Sequence, residues 1–205
     1  MQNAEQTIPQ QKTGRATDFT ADREFDDRQS AHKAFKQAAS RLLTINQWQQ
    51  YAGAGSSKFC LTNNEGQELN GFAKEGLLIS IDLPVPGSNA GDGLEWVTIE
   101  RIEVIEDAKA DEEFISITVR PVPDPHKTDT QIAHFYKDLT TNTFIVKRSH
   151  NKVIAGAHGR NETPNNEDVD LHDKVRNTIV ALTARIGLAG PQWKMLVNGL
   201  LDGED

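Results

Sequence analysis

The feature that most constrains the fold is a series of segments in which apolar residues recur at every second position. Between residues 77 and 83, leucine or isoleucine fills every odd position and the turn-forming sequence 84–87 follows. This alternation is typical of a half-buried strand. Similar segments recur between residues 58 and 158 with short connections, and short connections favour antiparallel pairing. We therefore predict a mostly antiparallel sheet of about seven strands.

The segment 95–106 predicts a bend in that sheet. Val97 and Ile99 occupy odd positions, whereas Ile102 and Val104 occupy even positions. In a uniform strand the two sets would lie on opposite faces. One extra residue near Glu100 and Arg101 would return them to a common face, so we predict a β-bulge there.

Helical spacing flanks the sheet region. It predicts an N-terminal helix from about Asp26 and a C-terminal helix pair over 171–186 and 193–201, all packed on the sheet. The predicted class is therefore α+β. Residues 1–21 are polar and are expected to form a flexible tail, which leaves 22–205 as a single α+β domain.

Composition and motifs exclude several functions. The chain has 30 acidic and 22 basic residues and a net charge of -8, which argues against nucleic acid as a partner. No apolar run is long enough for a membrane span, and the polar N-terminus and the lone Cys60 predict a cytoplasmic protein. Metal-ligand spacing and phosphate-binding loops are missing from the sequence, so we expect neither a metal nor a cofactor.

One predicted rim of the sheet carries a proline- and glycine-rich loop. In an up-and-down sheet, alternate connections share a rim, which would group the loops 84–94, 121–130 and 149–151. Glycines allow a ligand to approach the backbone closely. The ligand-binding candidates in this rim are Pro86, Gly87, Gly91, Asp92 and Gly93. The alternative is an ordered connection that proline stiffens.

The opposite predicted rim carries His158, Arg160 and Glu162, the densest polar cluster in the chain. Arginine can hold a carboxylate or phosphate, and a histidine and a glutamate can exchange a proton. The alternative is structural, with Arg160 paired to the acidic segment 95–113.

Two further sets of residues are candidates. His134 and Tyr136 share the parity of Ile132 and are expected to face inward, either toward a ligand or as a hydrogen-bonded core pair. The apolar stripe of the last helix is either core or a protein interface. Its interface candidates are Trp193, Leu196, Val197 and Leu200.

The segments 95–100, 159–165 and 191–194 resemble those of a bacterial family of soluble proteins of similar length, which implies no activity because none is known for that family. More coarsely, a helical stretch ending in Trp48, an antiparallel sheet and a long C-terminal helix resemble the START-like, or helix-grip, superfamily. That resemblance implies a curved sheet that grips a helix around an apolar ligand cavity. The chain departs from it in two predicted features: no strand is evident before the first helix, and there are two C-terminal helices.

Three functions follow as hypotheses. The first is a non-enzymatic domain that holds a small apolar ligand between the sheet and the C-terminal helix. The second is an interaction or assembly component that binds a protein partner, or forms a homo-oligomer, through the stripe at Trp193. The third, which we favour least, is an enzyme that uses His158, Arg160 and Glu162.

Overall fold

The computed structural model describes residues 3–53, 56–82, 94–126, 140–162 and 190–202. Seven strands form one antiparallel sheet in the order β1-β7-β6-β5-β4-β3-β2. The strands are β1 (Arg15–Glu24), β2 (Lys58–Thr62), β3 (Leu78–Asp82), β4 (Glu95–Ile105), β5 (Glu112–Pro121), β6 (Thr141–Ser149) and β7 (Lys152–Glu162). The helices are α1 (Arg28–Leu43), α2 (Trp48–Ala52) and α3 (Gly190–Asp202), with short 3-10 turns at Ala4–Thr7 and Ile45–Gln47. The predicted α+β class is confirmed.

The bend predicted in β4 is present. Ile99 pairs with Val119 and Arg101 pairs with Thr118, so β4 has one residue more than β5 at Glu100. The bulge returns the apolar residues on both sides of it to one face.

Residues 3–21 do not form the flexible tail that the sequence predicts. Residues 15–24 form the edge strand β1, which pairs with β7 along its whole length. Residues 3–13, here called the N-terminal segment, lie across the sheet: Ala4 is buried against Phe114 and Ile145. The strand β1 is not evident in the sequence because Phe19 is the one large apolar side chain at its inward-facing positions. Backbone pairing with β7, more than burial of apolar side chains, therefore stabilises this strand.

The two faces of the sheet are covered differently. The inner face packs against α1, α2 and α3 and forms the main core. The N-terminal segment lies on the outer face. The sheet also curls, because Trp48 contacts both Phe59 on β2 and Phe144 on β6, at ring-centroid distances of 5.2 and 4.9 Å, although three strands separate β2 from β6.

Local signals set the helix boundaries. Asp27 caps α1 by accepting a hydrogen bond from the Ser30 backbone N–H over 2.7 Å. Gly53 ends α2 with a φ of 91°, a conformation that glycine adopts without strain. In the part of the chain that the structure describes, no helix combines the length and the apolar character that a membrane crossing requires.

The loops at the two ends of the sheet are grouped differently from the prediction. His150, in the β6–β7 turn, donates its backbone N–H to the Asp111 carbonyl over 2.8 Å, so this turn shares an end of the sheet with the β4–β5 connection. The alternation of Ile132, His134 and Tyr136 also predicts a strand over 132–137, and counting that strand places 149–151 on the same rim as 84–94 and 121–130. β5 and β6 are direct neighbours, which reverses the grouping. The predicted strand itself, like the predicted helix at 171–186, lies outside the described residues.

Candidate functional site

Two of the predicted site residues lie on the outer face of β7 and share one carboxylate. The Nδ1–H of His158 donates to Oδ1 of Asp18 over 2.6 Å, and the Arg160 guanidinium donates to the same oxygen over 2.8 Å. Arg160 also donates to the backbone carbonyls of Thr17 and Gly159. This outer cluster therefore connects the edge strand β1 to β7.

Electrostatics and packing both favour the outer cluster. Burial alone would raise the pKa of Asp18, but hydrogen bonds from His158 and Arg160 outweigh it and lower that pKa. Gly156 leaves room for the imidazole, since a Cβ at this position would overlap Nε2 of His158. Arg160 is thus bound to Asp18, and the proposed pairing with the acidic segment 95–113 is wrong.

Glu162 lies on the inner face. Its Oε1 accepts a hydrogen bond from the Thr17 hydroxyl over 3.1 Å, and its carboxyl lies over Gly159, where a Cβ would overlap it. Thr17 and Gly159 are register partners, one position along from the outer pair of Asp18 and His158. Because successive strand residues face opposite sides, Glu162 and the outer cluster are separated by the sheet.

A β-bulge moves Glu162 to the inner face. Arg15 pairs with Glu162 and Thr17 pairs with Gly159, so β7 has one residue more than β1 in this interval. Asn161 occupies the bulge with a φ of 56°, a region that asparagine tolerates better than most residues. Without the extra residue, position 162 would share the face of position 160.

The three candidates of the enzyme hypothesis therefore do not converge. His158 and Arg160 contact Asp18 on the outer face, whereas Glu162 contacts Thr17 on the inner one. A shared reaction centre would need all three within reach of one substrate. The sequence could not reveal the separation, because 158, 160 and 162 alternate as if on one face.

The environment of Glu162 is unusual for a carboxyl. Its side chain is 8% exposed, and no described lysine or arginine forms an ion pair with it. Burial raises its pKa, against smaller lowering effects of the Thr17 hydrogen bond and of Arg15 and Arg160. Burial of this kind makes the charged form of the carboxyl less favourable than it is in an exposed glutamate.

The inner face beside Glu162 retains some accessibility. Ile81, Val97, Asn142 and Trp193 are 7–9% exposed, whereas Val146, further along β6, is fully buried. Asn142 is the register partner of Gly159, over which the Glu162 carboxyl lies. We call the group of Thr17, Val97, Asn142, Glu162 and Trp193 the inner site.

The interface candidates are core residues of this chain. Trp193, Leu196, Val197 and Leu200 are all at most 7% exposed and belong to the main core. The Trp193 ring lies 5.2 Å from that of Phe144 and 6.1 Å from that of Phe59, measured between centroids. The stripe of α3 therefore covers its own sheet, the core alternative that the sequence left open.

Sequence reasoning found two members of the inner site, Glu162 and Trp193, but assigned Trp193 a different role. It missed Thr17, Val97 and Asn142. The alternation of Thr17, Phe19 and Ala21 could have indicated β1, and with it Thr17. Seven candidates lie outside the described residues: Pro86, Gly87, Gly91, Asp92, Gly93, His134 and Tyr136.

A second buried polar group, at the opposite end of the inner face, is structural. Glu113 accepts hydrogen bonds from Arg148, from His32 and from the backbone of Asp107. Arg148 further donates to the carbonyls of Ala110 and His150, over 2.9 and 2.8 Å. Every charged group in this network has a partner, and it joins α1 to two turns of the sheet.

Metal or thiol chemistry finds no support in the described segments. No group of three or more potential metal ligands occurs within them. Burial, with an added contribution from Glu68, raises the pKa of the Cys60 thiol. A raised pKa keeps the thiol protonated, and a protonated thiol is a poor nucleophile.

The comparisons with known proteins leave the function open. No protein-family model matches the chain, and no curated protein matches it. Among solved structures, the chain is similar to a solution NMR structure from Staphylococcus epidermidis, a structural-genomics target. The two share 12% sequence identity with a TM-score of 0.40 over 97% of this chain and 96% of that one.

Proposed function

We propose that the protein is a non-enzymatic binding domain that holds a small, largely apolar molecule between the inner face of its sheet and α3. The observation that carries the proposal is the buried carboxyl of Glu162, which lies on the inner face with Thr17 as its only hydrogen-bond partner among the described residues. A fold that needed only a packed core would be more stable with an apolar side chain there.

The surroundings of Glu162 match the usual character of small-molecule sites. Such sites are mainly apolar and aromatic, with a few polar groups that orient the ligand. Here Val97, Trp193 and Phe144 supply apolar and aromatic surface, and Asn142 and Glu162 supply the polar groups.

The connectivity of the chain also supports the proposal. The strand β1 precedes the helices α1 and α2, and α3 packs on the inner face of a curled sheet. These features support the resemblance to the START-like superfamily, and β1 supplies a strand before the first helix that was not evident in the sequence. Fold resemblance alone does not fix a function, so the inner site remains the main argument.

The competing hypotheses have less support. An interaction surface on α3 would require an exposed stripe, and its four apolar residues are buried in their own core. An enzyme that combined His158, Arg160 and Glu162 would require groups that the sheet separates. No other observation in the described residues favours either function.

Native mass spectrometry tests the proposal. We expect the natively purified protein to carry an added small-molecule mass that disappears on denaturation. Val97→Trp, which fills the inner site, should remove the added mass, whereas Thr98→Trp, at the adjacent outward-facing position, should retain it. Circular dichroism establishes that both variants are folded. The proposal is wrong if the wild-type protein carries no added mass and takes up none from a cell extract.

A further inference from the structure

The indole N–H of Trp193 is a buried donor that finds no acceptor among the described residues. Trp193 is 7% exposed, and its Nε1 has no hydrogen-bond partner in that part of the chain. Of the described residues, Trp96 and Thr141 also have such an atom, but the strand register places both on the outer face. Buried donors are nearly always satisfied, so each exception calls for an explanation.

Neighbouring side chains do not supply the acceptor. The Trp193 ring packs against the rings of Phe144 and Phe59, which contain no oxygen or nitrogen in their side chains. Trp48, which packs against the same two rings, differs in this respect: its Nε1 donates to the carbonyls of Arg41 and Leu42, over 3.2 and 3.1 Å. The aromatic cluster thus satisfies one of its two indoles and leaves the other available.

The charges near the site determine which kind of acceptor it can take. Two cationic side chains are buried in the described part of the chain, Arg41 and Arg148. Arg148 binds Glu113, and Arg41 donates to the carbonyls of Leu200 and Leu201, in the last turn of α3 and away from Trp193 in its first turns. Arg15 and Arg160, whose charges act on Glu162, are not themselves buried. Among the described residues, a buried anion beside Glu162 would therefore lack a buried counter-ion, which is costly. A neutral oxygen carries no such penalty.

We infer that the bound molecule is a neutral, flat, apolar carbonyl compound whose oxygen accepts a hydrogen bond from Nε1 of Trp193. This inference rests on the proposed function and specifies its ligand class. Phe59 and Phe144 provide aromatic surface for the flat part of the molecule, and the Asn142 amide can donate a second hydrogen bond.

Three fluorescent probes of similar shape test the inference. They are the neutral naphthyl ketone prodan, its propyl analogue without the carbonyl oxygen, and the naphthoate in which a carboxylate replaces the ketone. Each is titrated into the wild-type protein and into two variants. Trp193→Phe keeps an aromatic ring and removes the N–H. Trp96→Phe is the matched control, because it removes a buried indole N–H without a partner from the outer face.

We expect prodan to bind the wild-type protein about three- to tenfold more tightly than the propyl analogue, the size of one hydrogen bond. Trp193→Phe should abolish this difference, Trp96→Phe should preserve it, and the naphthoate should bind most weakly. Equal binding of prodan and the propyl analogue to the wild-type protein would overturn the carbonyl inference but not the proposed binding function. This comparison does not depend on whether a variant folds. Preferred binding of the naphthoate would also overturn it. Failure of all three probes to bind would overturn the proposed function as well.

Discussion

The Thr17 hydroxyl on β1 donates a hydrogen bond to the carboxyl of Glu162 at the end of β7, over 3.1 Å and across a glycine. On the opposite side of the same strand pair, Asp18 accepts hydrogen bonds from His158 and Arg160. Two carboxyls close together in register therefore have opposite environments. The outer one is stabilised in its charged form and the inner one in its neutral form.

Glu162→Gln should raise stability at neutral pH. Because burial raises the pKa of Glu162 above its usual 4.5, the folded protein binds the proton more tightly than the unfolded chain. The stability that this contributes is fully present below pH 4.5 and is lost as pH rises through the folded pKa. The gain from glutamine should therefore grow from acidic to neutral pH in urea unfolding. A gain that does not vary with pH would contradict a raised pKa.

Asp18→Asn should show the opposite trend. Since hydrogen bonds from His158 and Arg160 outweigh burial and lower the pKa of Asp18, its contribution is present above its usual value of 3.8 and is lost as pH falls through the folded pKa. The variant should be less stable than the wild type at neutral pH and should approach it in acid. Urea unfolding over the same range of pH measures the stability of both variants. Glu24→Gln, at an exposed position of β1, is the control.

Arg148→Met should be the most destabilising of these substitutions. It leaves the fully buried Glu113 without its cation and removes the donor to the carbonyls of Ala110 and His150. Loss of one partner from a buried ion pair costs about 3–5 kcal/mol. Urea denaturation measures the loss. The control Arg101→Met removes an exposed ion pair with Glu103 and should lower stability by less than about 0.5 kcal/mol. Similar losses of stability in both variants would refute the role of the buried network.

Asn161 should stabilise both the bulge and the N-terminal segment. Its Oδ1 accepts from the backbone N–H groups of Lys12 and Thr13, its Nδ2 donates to the Gln10 carbonyl, and its φ is positive. Asn161→Ala loses these bonds and adds strain of about 1–2 kcal/mol, whereas Asn161→Gly loses the bonds without the strain.

Hydrogen exchange measures the consequence. Backbone amides of the N-terminal segment should exchange faster in both variants, and global stability should fall more in Asn161→Ala than in Asn161→Gly. Rapid exchange of the segment in the wild-type protein would restore the flexible tail that the sequence predicted.

Gly199→Ala should weaken the docking of α3 on α2. A Cβ at position 199 would overlap the backbone carbonyl of Tyr51, which cannot move as a flexible side chain can. We expect a loss of about 1–3 kcal/mol, typical of overpacking, despite the better helix propensity of alanine. Asn198→Ala, at an exposed position of the same helix, should change stability by less than about 0.5 kcal/mol. Thermal unfolding measures the stability of both variants. If Gly199→Ala is more stable than the wild-type protein, the close contact between Gly199 and the Tyr51 carbonyl is wrong.

The sequence predicted those parts of the fold that apolar spacing determines. The parity change after Ile99 located the bulge in β4, and the period of two located β3. Where other interactions decide, spacing fails. β1 is held by backbone pairing with β7 and has one large apolar side chain at its inward positions, so its composition matches that of a polar tail.

The spacing of residues in the sequence could not predict the geometry of the candidate site. Residues 158, 160 and 162 alternate regularly, and the bulge that moves Glu162 to the other face is marked by a single asparagine. The apolar stripe at Trp193 would have the same sequence pattern whether it packed on its own sheet or on a partner. Only the contacts of its ring with Phe59 and Phe144 distinguish the two.

The most direct test of the binding account is an NMR titration that follows the indole N–H signals of Trp48, Trp96 and Trp193, assigned by single tryptophan-to-phenylalanine variants. With prodan as the probe, we predict that the Trp193 signal shifts downfield and saturates, as expected for a new hydrogen bond on the inner face. The Trp96 signal, on the outer face, should not move. A saturable shift confined to Trp96, or no saturable shift of any indole, would contradict a ligand site between the sheet and α3.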